Sequence, residues 1–165
     1  MSKNSDRTYC IYLELEPYLK EWLINECGGR TPVYFPKLSV ENRILETFLI
    51  KLPPNASPDL SNSSNVAVAI PKFKNSDPAT YNYLPVYAKK ELKNTIRNRF
   101  IIELWRNLHH YGHIGKRRDH LIYGFMESHG IEINDTNYNT IAKIYLRQHR
   151  AYLARERRKQ KSKKN

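Results

Sequence analysis

The sequence predicts an α+β fold. A small three-stranded sheet with two short helices fills the N-terminal half, and three helices form a helix–turn–helix-like C-terminal half ending in a basic helical or disordered arm. Three observations predict it. Short runs rich in β-branched and aromatic residues, bounded by Pro and Gly, lie before Pro71. A long run of apolar residues at helical spacing begins after Pro85. Charge divides at the same place. Residues 1–85 carry nine Lys/Arg and nine Asp/Glu, which leaves 19 of the 28 basic and 7 of the 16 acidic residues, and the whole formal +12, to residues 86–165.

Each element has its own signal. Residues 8–15, TYCIYLEL, read as a strand. Pro17 suits the first position of a helix, which Tyr18, Leu19, Trp22 and Leu23 make amphipathic through Glu26 and which Gly28-Gly29 stops. Val33-Tyr34-Phe35, enclosed by Pro32 and Pro36, predicts a short edge strand. Ser39 is a good N-cap for a second helix carrying Ile44, Leu45, Phe48, Leu49 and Leu52 as far as Pro53-Pro54. The polar segment 53–65 is a loop, Val66–Ile70 a third strand, and a Pro/Asp-rich loop runs to about Thr80. Two strand–helix units and a third strand are compatible with a parallel sheet.

Beyond Pro85, Leu92, Ile96, Phe100, Leu104 and Leu108 mark a long helix over 85–111, broken by Gly112 and Gly115. Leu121, Ile122, Phe125 and Met126 mark a helix over 117–129, ended by Gly130. Asp135 or Thr136 is expected to cap a last helix with Tyr138, Ile141, Tyr145 and Tyr152 on one side. The chain thus divides into an α+β scaffold or interface region (1–84), a helical basic module (85–153) and a basic tail (154–165).

With 165 residues the chain is one domain, or a small domain with an extension, and is long enough to bury a core. Its twelve Tyr, against five Phe and two Trp, are residues that pack and still offer a hydroxyl. Cys10 and Cys27 have no metal-site spacing and are expected as reduced, buried thiols. The N-terminus lacks the apolar core of a signal peptide, and no apolar run is long enough to span a membrane, so a cytoplasmic protein without membrane association is expected. Abundant Asn, Lys, Ile and Tyr fit an AT-rich bacterial or phage genome.

Segregated charge builds a field that faces a polyanion. Three groups of residues are placed to use it. The front of the last helix offers Thr136, Asn137, Asn139, Thr140 and Lys143, short polar groups suited to base edges in a major groove, with Arg147 and Arg150 further along for phosphates. The tail continues with Arg155, Arg157, Arg158, Lys159, Lys161, Lys163 and Lys164 against the single acid Glu156. Between two helices, Gly112-His113-Ile114-Gly115 runs into Lys116-Arg117-Arg118. This GxxG turn resembles the phosphate-clamping loop of KH domains, although the surrounding strand order departs from theirs. The resemblance implies only a turn that contacts phosphate.

Other chemistry finds less support. His109 and His113 are four apart, with His110 and His120 near, but Gly112 interrupts the spacing and no Cys or carboxylate pair completes a metal set. The acids of the second half are scattered, unlike those of a metal-dependent nuclease. Walker, GxSxG and CxxC patterns are absent, and a tyrosine nucleophile would have to be Tyr145, beside Arg147, His149 and Arg150. No cofactor or metal is expected, and no enzymatic activity. The expectation is a non-enzymatic nucleic-acid-binding protein, with DNA favoured over RNA. It would be a regulator or accessory factor of a bacterial phage or mobile element, with a homodimer or protein interface in the N-terminal half. The alternative is a structural or assembly protein, a phage component or a ribosome- or RNA-associated factor, whose basic arm docks on a polyanion.

Overall fold

Alternation in the first apolar run writes a strand, β1 (Cys10–Glu14), in which Ile11 and Leu13 turn inward and are fully buried. The computed structural model describes residues 7–112 and 115–163. After β1 come α1 (Pro17–Glu26), α2 (Val40–Phe48), β2 (Ile50–Lys51), β3 (Asn65–Ala69), β4 (Tyr81–Tyr83), α3 (Val86–Gly112), α4 (Arg118–Ser128) and α5 (Asp135–Ser162). The chain divides into two units, Met1–Asn98 and Arg99–Asn165, and the division falls inside α3.

In the first unit β1 pairs antiparallel with β3, in a register that sets Ile11 opposite Val68 and Leu13 opposite Val66. All four side chains are buried, so the cross-strand pairs are the centre of this small core. Val33 lies parallel to β3: its N–H donates to the Ala67 carbonyl at 2.8 Å, and its carbonyl accepts from the Ala69 N–H at 2.9 Å. Pro32 and Pro36 stop this pairing from extending, because proline has no N–H to give a ladder. A second antiparallel pair joins β2 to β4 across a bulge.

The expected three-stranded sheet, read as compatible with parallel pairing, is therefore corrected to two two-stranded antiparallel sheets among the described residues. The second helix also ends earlier than expected. Leu49 is extended, and Ile50–Lys51 leave the helix for the ladder with Tyr81–Tyr83, a segment read from sequence as loop. Ser39 caps α2 as expected, its Oγ accepting from the Asn42 N–H at 3.1 Å. Pro17 opens α1, and Gly28 and Gly29 end it with φ of 91° and 71°, values that favour residues without a Cβ. Cys10 and Cys27 are half-buried rather than buried, and burial pushes the Cys10 thiol up.

In α3 every fourth residue is buried: Ala88, Leu92, Ile96, Phe100, Leu104 and Leu108. This i, i+4 ridge is the strongest packing signal in the chain. In the second unit Phe100 meets Phe125 of α4 edge to face, with ring centroids 5.9 Å apart. Gly130, at φ 65°, closes α4, and the buried Ile131 donates its N–H back to the Met126 carbonyl at 2.9 Å. No helix among the described residues is long and apolar enough to cross a membrane.

Candidate nucleic-acid interface

The unit Arg99–Asn165 holds 15 of the 28 basic residues and 6 of the 16 acidic ones. Its last helix decides where that charge points. The N-cap of α5 is Asn134, one residue before the expected Asp135 and two before the alternative Thr136. Its Oδ1 accepts from the Asn137 N–H at 2.8 Å, and Asp135 places a carboxylate in the first turn, where the helix dipole favours it.

Aromatic packing fixes the rotation of α5 about its axis. Tyr145, His149 and Tyr152 lie against Trp105 with centroid separations of 5.9, 6.3 and 5.5 Å, and Trp105 stacks on His109 at 4.4 Å. Together with the buried Asn137 and Ile141, these residues define the inner side of the helix.

At about 100° per residue, Thr136, Asn139, Thr140, Lys143, Arg147, Arg150, Arg157, Arg158 and Lys161 then share one outer arc of roughly 100°. All are exposed except Thr140, which is half-buried. From Lys143 to Lys161 the stripe is about 27 Å long. None of its six cations has an ion-pair partner among the described residues. Lys143, Arg147 and Arg150 also line a groove of about 310 Å³.

Several expected readers are placed elsewhere. Asn137 is only 2% exposed and its Nδ2 donates to the Glu132 carbonyl at 3.0 Å. It braces the start of α5 and is not presented to a base, which corrects its expected role. The Thr140 hydroxyl donates to the Thr136 carbonyl at 2.8 Å, within the helix. Arg155 and Lys159 are exposed but fall outside the arc, and the Lys159 ammonium pairs with Glu156 at 2.9 Å, an interaction that raises its pKa. Lys163 ends the described helix, while Lys164 and, in the GxxG turn, His113 and Ile114 lie outside the described residues.

Lys116, Arg117 and Arg118 are all exposed at the start of α4, away from the α5 stripe in sequence and on a different element. The Arg117 guanidinium pairs with Asp119 at 3.2 Å. Desolvation, the largest single influence, pushes the Asp119 carboxyl up, but the His120 N–H and the Arg117 charge together outweigh it, so Asp119 lies below the ordinary aspartate range. Lys116, Arg117 and His120 line a cleft of about 640 Å³ whose other walls include Tyr111, Gly124 and Phe125.

The remaining candidates are absorbed by packing. His109 stacks on Trp105 and meets Tyr152 edge to face at 4.7 Å. Tyr145 is 8% exposed, and burial raises its pKa, the opposite of what activates a phenolic nucleophile. Sequence reasoning missed the aromatic cluster, although the i, i+4 pairs Trp105/His109 and Tyr145/His149 were its signal. It also missed the α4 cleft, because nothing in the sequence says that residues on either side of the turn share a wall. Comparison with protein-family models, with curated proteins and with solved structures finds no match.

Proposed function

We propose that this protein binds nucleic acid, and duplex DNA in preference to RNA, through the outer face of α5. The observation that carries the reading is the single-sided stripe of Lys143, Arg147, Arg150, Arg157, Arg158 and Lys161, all exposed and without acidic partners among the described residues. Like charges at i, i+3 and i, i+4 repel one another, so the stripe costs the isolated helix stability and gains it back only against a polyanion. A helix about 10–12 Å across fits the major groove of B-DNA, about 12 Å wide, whereas the A-form major groove is too deep and narrow to admit one.

Within that arrangement Thr136, Asn139 and Lys143 occupy the amino-terminal end of the stripe and meet base edges, and the later cations meet phosphates. The first unit carries no excess charge over residues 1–85 and exposes Tyr34, Leu38 and Val40, which suit a protein-facing surface. The test is a salt titration with fluorescently labelled duplex DNA. The five later cations, each on one phosphate, give a log–log slope of roughly −4.5. Binding that ignores salt, or no binding at low salt, refutes the reading.

A further inference from the structure

We infer that the cleft beside the first turn of α4 takes one nucleotide, its phosphate on Lys116, Arg117 and His120 and its base against the bare helix wall at Gly124. The inference rests on the nucleic-acid reading above for the source of the nucleotide, but the site stands on its own geometry. Its volume, about 640 Å³, lies within the range usual for small-ligand sites. Lys116 and the N-cap Arg117, just ahead of α4, and His120 in its first turn, all exposed, lie at the positive end of the helix dipole. Asp119 holds the Arg117 guanidinium at 3.2 Å, and Lys116 has no ion-pair partner among the described residues. The other lining residues are mixed: Tyr111 and Gly124 are exposed, Phe125 is buried, and Asn107, Ser128 and His129 add polar atoms.

Gly124 leaves the cleft lining without a side chain at that point. Glycine inside a helix is unfavourable relative to alanine, and is kept where the chain needs a positive φ or a close approach. Neither applies here. Gly124 has no left-handed backbone, and a Cβ built on it meets no atom within 4 Å. What its missing side chain leaves is open space in the cleft wall. An unstacked base can lie in that open space beside the exposed Tyr111, and the cations suit the phosphate attached to it. A free nucleoside monophosphate and a nucleotide within a single strand share this chemistry, and the test separates them.

The experiment follows backbone amide shifts of the full chain during titration with thymidine monophosphate, with a 5′-phosphorylated single-stranded oligothymidylate, and with a blunt duplex. Both the mononucleotide and the single strand are expected to shift Tyr111, His120 and Gly124 saturably. The single strand should bind more tightly if the source is a strand, and no more tightly if it is a free nucleotide.

Gly124→Leu fills the wall and should weaken both by ~10-fold or more while leaving duplex affinity within about twofold. Gly124→Ala, which adds helix propensity, should unfold at no lower temperature than wild type and so shows that the position tolerates a side chain. Lys116→Gln with Arg117→Gln should weaken the mononucleotide without filling the cleft. Absence of shifts at these residues, or Gly124→Leu binding like wild type, overturns the inference. If the duplex still binds through α5 in that case, the broader reading survives. If the mononucleotide fills the cleft but no duplex binds, the site stands and the broader reading falls.

Discussion

α3 and α5 have nearly the same length, 27 and 28 residues, and serve opposite purposes. α3 buries six apolar side chains, one every fourth residue from Ala88 to Leu108. α5 buries Asn137, Ile141 and Tyr145 near its start, rests Tyr152 against Trp105, and buries nothing beyond that point. Along its outer arc it carries cations instead. Helix length in this chain therefore says little about how much core a helix supports; the position of the buried ridge does.

The comparison is broken most severely in α3. Phe100→Ala should cost about 3–5 kcal/mol of unfolding free energy, read from urea denaturation, because a fully buried ring leaves a cavity and loses its contact with Phe125. A loss near zero would mean that Phe100 does not belong to a packed core. The next largest effect falls on binding. Replacing Arg147, Arg150, Arg157 and Lys161 with Gln should flatten the log–log salt slope of duplex binding by roughly 3–4 while leaving the urea midpoint in place. An unchanged slope removes the stripe as the binding face.

Smaller changes sharpen the contrast within α5. Asn134→Ala removes the acceptor for the Asn137 N–H and should cost about 1 kcal/mol without altering the salt slope. Truncation after Tyr152 deletes, among the described residues, only exposed ones and the half-buried Glu156, and should change stability by less than about 0.5 kcal/mol while weakening duplex binding for every sequence alike. A truncated chain that unfolds would show that the end of α5 belongs to a core.

The smallest effect is at Asp119. Its folded pKa is depressed, so its contribution to stability is complete above the ordinary aspartate range and is lost as pH falls through the lower folded value. Arg117→Gln should move the carboxyl titration midpoint of Asp119 upward in an NMR pH series, and a fixed midpoint would show that the ion pair has no influence.

Much of this architecture was legible where periodicity was long or chemistry was local. The ridge Leu92–Leu108, the cap at Ser39, the proline at the start of α1 and the glycines after it all predict what the structure holds. The errors occur where pairing partners decide. Ile50–Lys51 continue an apolar helical pattern and become a strand only because Tyr81–Tyr83 lie beside them. Val33 can bridge β3 in a single residue, yet its flanking prolines look from sequence like strand boundaries.

On the outer arc of α5, the shared placement of Asn139, Lys143, Arg147 and Arg150 follows from helical spacing alone. Asn137 looked equivalent to them until its buried bonds to the start of α5 were seen. The separation of Arg155 and Lys159 from Arg157, Arg158 and Lys161 required knowing that the helix continues through the tail, which charge composition does not reveal.

The unburied end of α5 has a consequence for proteolysis. Past Tyr152, Arg155 and Lys159, and Arg157 and Lys161, stand four residues apart, and only Glu156 offsets them. A short helix of like charges without a packed side is marginal in water. Its last turns are therefore expected to open readily, and each opening would present Lys–X and Arg–X bonds to a trypsin-like protease. An anionic ligand seated on the stripe neutralises that repulsion and closes the same bonds. The rate at which the tail is clipped back toward Tyr152 then becomes a direct, label-free gauge of how much of the protein is occupied.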